Sequence, residues 1–113
     1  MLDVALIGAG MAKALLASLK ADGRRVKALA QVEAEKLAAS LAAVGGMLAA
    51  GEIDQEEAEV LVGIQRAASE AVLASLQGVS AVAARRATRA ALGGVAGQVD
   101  EALGVPLVTA LLK

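Results

Sequence analysis

Residues 53–64 are Ile-Asp-Gln-Glu-Glu-Ala-Glu-Val-Leu-Val-Gly-Ile, and this stretch decides the fold because it contains a complete helix start. Asp54 is a residue type that is favoured as an N-cap, and the Glu57 carboxylate, three residues later, can accept a hydrogen bond from the Asp54 backbone N–H. Ile53 stands at the hydrophobic-staple position. The carboxylates of the first turn suit the positive end of a helix dipole. We therefore predict that a helix begins at Gln55, with Asp54 and Glu57 as its cap.

The residues after this start repeat apolar side chains with helical spacing, and the one proline of the chain is Pro106. This spacing predicts one long helix from Gln55 to about Leu92. Gly78 lies inside it without changing the period. Its buried face is predicted to comprise Leu61, Ile64, Ala68, Val72, Leu76, Val79 and Ala83.

Two shorter helices are predicted before this start. The first carries an apolar stripe and ends at the turn signal Asp22-Gly23, and the second carries another stripe and ends at Gly51. The first stripe comprises Val4, Ile7, Met11 and Leu15, and the second comprises Leu37, Leu41, Val44 and Leu48.

The C-terminal third is rich in glycine and then in large apolar residues. Gly93, Gly94 and Gly97 predict either a break or a very close helix contact, after which a stripe continues to Leu103. The tail 107–112 is almost wholly apolar. We expect it to dock into its own bundle or into that of a neighbouring copy.

Composition limits what the chain can do. Of its 113 residues 58% are apolar, yet it contains no Phe, Tyr, Trp, His or Cys. These are the residues that supply the commonest general base, the commonest metal ligand, the thiol nucleophile and the stacking platforms for bases. We therefore expect no enzyme, no cofactor and no metal. We expect a single domain spanning 1–113. With a mean hydropathy of +0.64, a domain this small would have to expose apolar surface, and we expect self-association to cover it.

Small residues suggest where helices touch. Gly8 and Gly10, each followed four residues later by alanine, are predicted helix–helix contacts, as are Gly93 and Gly97. The alternative for Gly8-x-Gly10 is the opening of a dinucleotide-binding fold. That fold requires a small residue where this chain has Lys13, and no strand–helix alternation follows.

The charged clusters have structural explanations. The carboxylates from Asp54 to Glu59 could bind a divalent ion, but a helix cap accounts for them. Arg85, Arg86 and Arg89 could contact phosphate, but with a net charge of −1 and no base-reading side chain nearby we expect a solvated face or a salt bridge to an adjacent copy. We expect no signal peptide, because Asp3 and Lys13 disrupt the first apolar run, and no clear membrane span.

Residues 51–73, followed by the Ala-rich helix predicted to Leu92, resemble short helical proteins encoded in phage and prophage gene clusters. The stretch is Gly-Glu-Ile-Asp-Gln-Glu-Glu-Ala-Glu-Val-Leu-Val-Gly-Ile-Gln-Arg-Ala-Ala-Ser-Glu-Ala-Val-Leu, and the resemblance extends over 51–103. It implies a virion or assembly role in a symmetric multimer and brings no catalytic residues with it.

The sequence therefore predicts an all-α protein, a helical hairpin or small bundle with one long helix, completed by homo-oligomerisation. The predicted function is that of a non-catalytic structural or assembly protein, a phage virion component if the resemblance holds. Its expected partners are copies of itself and other structural proteins. The alternative is a membrane-active helical protein that inserts on oligomerising, as a pore or ejection component does.

Overall fold

A computed structural model describes residues 2–20 and 23–113, and in these residues the protein is all-helical, as predicted. The five helices are α1 (Val4–Leu19), α2 (Arg24–Ala49), α3 (Gln55–Ala74), α4 (Ala81–Leu103) and α5 (Leu107–Leu111). The predicted turn residue Asp22 lies outside the described residues. Gly23 precedes α2 with a φ of 115°, a backbone conformation that favours glycine.

The four longer helices form a four-helix bundle. α1 and α3 each pack against both α2 and α4, whereas α1 and α3 make no close backbone contact within the described residues. A helix of 26 residues is about 39 Å long, close to the longest dimension of the molecule, 42 Å. Consecutive helices with short connections are antiparallel neighbours in such bundles. α5 packs across α3 and α4.

The hydrophobic core is built from Ala, Val, Leu, Ile and Met side chains. Alanines in α2 and α4 are fully buried and allow the helix backbones to approach closely. The largest fully buried apolar side chains are Ile7, Met11, Leu15, Leu37, Leu41, Val62, Leu73, Leu92, Val99, Leu107 and Val108. The predicted stripes of the first two helices therefore face the core, apart from Val4, which is 37% exposed, and Leu48, which is half-buried.

The prediction of one long helix from Gln55 to Leu92 is wrong, because the chain turns between Ala74 and Ala81. Gly78 has a φ of +84°, which an α-helix cannot accommodate. Ser80 then starts α4, since its Oγ accepts a hydrogen bond from the Ala83 backbone N–H at 3.0 Å. Gly78 thus marks the end of one helical region and Ser80 the start of the next. The apolar spacing continues across both residues, so it gave no sign of this turn.

The predicted buried face of the long helix is also wrong over most of α3. The α3 residues that face the core are Ala58, Val62, Ser69 and Leu73. Leu61 and Ile64 are instead 38% and 63% exposed. α3 therefore has two apolar stripes, the predicted one and the buried one. The stripe that packs against α2 and α4 is the one with fewer large apolar side chains.

The predicted break at Gly93, Gly94 and Gly97 is absent, since α4 continues through all three positions. Among the glycines of the described residues, the tightest contact lies elsewhere, at Gly45 in α2. A Cβ atom there would lie 2.5 Å from Leu103 Cδ2 of α4, so only glycine fits without displacing that side chain.

Charged side chains hold the C-terminal tail on its own bundle. The Asp100 carboxylate accepts hydrogen bonds from the backbone N–H groups of Val108, at 2.8 Å, and Thr109, at 3.1 Å. Arg66 and Arg89 donate to the carbonyl oxygens of Leu111 and Leu112, at 3.3 and 2.6 Å respectively. These hydrogen bonds fix the tail at both ends, and the tail's own Leu107 and Val108 side chains are fully buried.

We predict that Gly78→Ala destabilises the fold by about 1–2 kcal/mol, the cost of a Cβ atom in the left-handed region. Gly94→Ala is the matched control, because Gly94 is helical and exposed with open space at its Cβ position. That change should stabilise α4 by about 0.5–1 kcal/mol. Urea unfolding followed by far-UV circular dichroism measures both, and a Gly78→Ala variant as stable as the wild type would contradict the assigned turn.

We predict that Asp100→Ala releases the tail, because it leaves the Val108 N–H without its acceptor at a cost of about 1–3 kcal/mol. Hydrogen–deuterium exchange should accelerate at 107–112. Glu101→Ala, at an exposed neighbouring position, should leave that exchange unchanged. Equal protection in the Asp100→Ala variant would show that the carboxylate does not hold α5.

Candidate assembly surface

α3 begins with the capping box predicted from the sequence. Asp54 Oδ1 accepts a hydrogen bond from the Glu57 backbone N–H at 2.8 Å, and Glu57 Oε1 accepts one from the Asp54 backbone N–H at 3.1 Å. Both donors lie in the helix start, where no helical carbonyl can reach them. The cap therefore fixes where α3 starts and, with it, which side chains lie on its outer face.

The outer face of α3 carries an apolar ridge, which we call the α3 ridge. Spacings of three and four residues place its members on one side of the helix. Val60 and Ile64 are 59% and 63% exposed, and Leu61 is 38% exposed. Its members are Val60, Leu61, Ile64, Ala67, Ala68 and Ala71, all exposed. Single exposed apolar residues are ordinary on protein surfaces, whereas a contiguous apolar row along one helix is a candidate interaction surface.

The ridge is graded in size along α3. Its large side chains, Val60, Leu61 and Ile64, lie in the first half of the helix. Alanines occupy the second half. One end of the ridge therefore protrudes and the other end is recessed.

The two ends of the ridge also differ in charge. Asp54, Glu56 and Glu57 line a surface depression together with the first ridge residues. At the far end, Arg25 at the start of α2 lines a second depression with residues 75–77, which follow α3. α3 thus begins at a cluster of carboxylates, and the residues that follow its last turn lie beside the exposed Arg25.

The other flank of α3 is already occupied. Glu70 Oε1 accepts a hydrogen bond from Thr88 Oγ1 of α4 at 2.8 Å and lies 3.7 Å from Arg66 Nε. Arg66 contacts the tail through Leu111. Ile64 and Arg66 are two residues apart, so they point to opposite sides of the helix. The ridge is therefore the flank of α3 that α4 and α5 do not cover.

The four glycines predicted to make helix–helix contacts lie in different surroundings. Gly8 is buried against α2, where a Cβ atom would lie 3.6 Å from Ala38 Cβ. A Cβ atom at Gly93 would lie 3.9 Å from Leu112 Cδ1. Gly10 and Gly97 are exposed with open space at their Cβ positions. Within the chain, close packing thus involves Gly8, along with Gly45, which was not among the predicted helix–helix contacts.

The three predicted basic residues of α4 separate into two groups. Arg89 donates to the Leu112 carbonyl, so it belongs to the tail contacts. Arg85 and Arg86 are exposed, and neither forms an ion pair with any residue in 2–20 or 23–113. The arginines therefore do not form a single cluster of free guanidinium groups.

The described residues contain no group of three or more Asp or Glu side chains arranged to hold a metal ion. Among residues 2–20 and 23–113, Glu33 is the one buried carboxylate. Its Oε2 accepts a hydrogen bond from Lys36 Nζ at 3.1 Å, and its Oε1 has no hydrogen-bond partner among those residues. Gly8 and Gly10 lie within α1 and not in the strand-to-helix turn of a dinucleotide site. In the described part of the chain, no helix has the length and apolar character needed to cross a membrane.

We predict that Asp54→Ala lowers the free energy of unfolding by about 1 kcal/mol, because the Glu57 N–H loses its acceptor. Asp54→Asn is the matched control, since an asparagine side chain caps almost as well and should retain most of that stability. Thermal unfolding read by far-UV circular dichroism is suitable for a chain without aromatic residues. An unchanged midpoint in Asp54→Ala would contradict a stabilising role for the cap.

The resemblance to Ala-rich helical proteins of phage gene clusters depended on residues 51–103. The structure divides this stretch into α3 and α4, so the long Ala-rich helix that formed part of it is two shorter helices. No protein-family model, no curated protein and no solved structure matches the chain.

Proposed function

We propose that this chain is a non-catalytic structural protein that assembles with copies of itself through the α3 ridge. The observation that carries the proposal is the exposure of Val60 and Ile64, 59% and 63%, in a row of six apolar residues on one helix. Burying the part of each side chain that is still exposed would release about 1–2 kcal/mol. A second copy is the partner that is always present at the concentration of the protein itself.

The composition supports a structural role over catalysis. The sequence contains no His and no Cys, and its serines and threonines therefore have no imidazole to activate them as nucleophiles. The buried polar side chains Ser69 and Thr88 bond to Gln65 and Glu70 within the bundle. The chemistry available to this surface is thus apolar contact and ion pairing.

The resemblance of residues 51–103 to short helical proteins of phage gene clusters suggests the setting that we propose for this assembly. An assembly protein of a phage particle would be small, helical and present in many copies, and this chain has the first two properties. Its copies would then meet each other, and other structural proteins, inside that particle.

We predict that the wild-type chain is a multimer at tens of micromolar in buffer without detergent. The double variant Val60→Ser, Ile64→Ser should associate at least about tenfold more weakly, since burying the exposed parts of both side chains is together worth more than about 1.4 kcal/mol. Size exclusion with multi-angle light scattering, over a dilution series, measures this change.

The matched control is Val82→Ser, on α4, because Val82 is 66% exposed and lies off the ridge. It should leave the mass unchanged. A monomeric wild type would overturn the proposal. If such a monomer floated with liposomes, the membrane-active alternative would replace it.

A further inference from the structure

We infer that the α3 ridge pairs with the same ridge of a second copy, antiparallel about a two-fold axis beside Ile64. In this pairing the acidic start of each α3 lies against Arg25 of the other copy. The inference rests on the proposed function, because it specifies the geometry of the assembly proposed there.

The size gradient of the ridge favours the antiparallel direction. Residues at equal distances on either side of Ile64 face each other across such an axis. Val60 therefore meets Ala68 of the second copy, and Leu61 meets its Ala67, so that large side chains fill the space above small ones. A parallel pair would place Val60 on Val60 and Ala68 on Ala68, which leaves a bulge and a void along one contact. Close packing disfavours both.

The charges at the two ends favour the same direction. Ile64 lies ten residues after Asp54 and eleven before Ser75, so it is near the midpoint of 54–75, the segment that contains the ridge. An antiparallel pair centred there brings the carboxylates of Asp54, Glu56 and Glu57 to the end where Arg25 lies. A parallel pair would place carboxylates against carboxylates. Opposite charges across an interface favour one orientation and reject the other.

The occupied flank of α3 limits the contact to one pair. Arg66 and Glu70 lie on the side held by α4 and the tail, so the exposed side offers a single surface for a partner. A surface that contacts its own copy across a two-fold axis closes on itself. The pair is therefore a dimer, and any larger particle must add contacts from other faces.

Cysteine cross-linking tests this geometry without interference, because the chain has no cysteine of its own. Ile64→Cys lies beside the axis and should give a covalent dimer under mild oxidation in high yield. Val82→Cys, at an equally exposed position on α4, should stay mostly monomeric on a denaturing gel. Ile64 is 63% exposed, so its replacement leaves the core intact, which far-UV circular dichroism verifies.

A cross-linking experiment with a mixture of two variants tests the direction of pairing. In the antiparallel pair two Val60 positions are eight residues apart along the axis, about 12 Å, beyond the reach of a disulfide. Val60→Cys alone should therefore cross-link poorly, whereas Val60→Cys mixed with Ala68→Cys should give a mixed disulfide. Efficient cross-linking of Val60→Cys alone would overturn the antiparallel geometry.

Charge reversal tests the ends. Arg25→Glu should weaken association about tenfold at low salt, and adding Glu56→Arg on the same chain should restore it. No effect of Arg25→Glu would overturn the end contact. A wild type that is multimeric while Ile64→Cys gives no covalent dimer would overturn this pairing and leave the proposed function standing. A monomeric wild type would overturn the proposed function itself.

Discussion

Close helix packing without aromatic side chains is the constraint on which the rest of this structure depends. Aromatic residues usually supply much of the buried area of a small domain, and this chain has none. The bundle compensates with alanines that bring backbones together, and Gly45 allows Leu103 to lie against the α2 backbone. Large aliphatic residues are then concentrated on the inner faces of α1, α2 and α4. Among the described residues, α3 exposes the most large apolar side chains, three, whereas α1 exposes two and α2 and α4 expose one each.

The division of α3 into two stripes explains both the success and the failure of sequence reasoning. The start of α3 was predictable, because Asp54 and Glu57 form a local motif that needs no tertiary partner. The all-helical class was predictable from apolar spacing in the same way. Which stripe of α3 turns inwards was not, because Val62 and Leu73 compete with Leu61 and Ile64 on one helix. The packing of α3 against α2 and α4 determines which stripe is buried, and these tertiary contacts cannot be read from the sequence.

The turn between α3 and α4 and the tail contacts were missed for different reasons. Gly78 and Ser80 carried a readable signal, but an uninterrupted apolar period outweighed it. The bonds from Asp100 to the tail backbone join residues eight and nine positions apart and could not be read from spacing. The ridge follows from both features, since the turn makes α3 a separate helix and the tail covers only one of its flanks. The larger apolar stripe of α3 faces outwards, although its spacing predicts that it is buried within the chain. Disagreements of this kind between sequence pattern and structure are expected at functional or strained sites.

The burial of Ile64 in solution tests the central claim most directly. The chain contains three isoleucines, of which Ile7 is 2% exposed in the core and Ile64 is 63% exposed on the ridge. Methyl NMR of the isoleucine-labelled protein, with a soluble paramagnetic agent added, reports how closely solvent approaches each methyl group. If the ridge is an interface, the Ile64 methyl at tens of micromolar is protected almost as well as that of Ile7 and becomes accessible on dilution. An Ile64 methyl that is fully accessible at every concentration would contradict assembly through the α3 ridge.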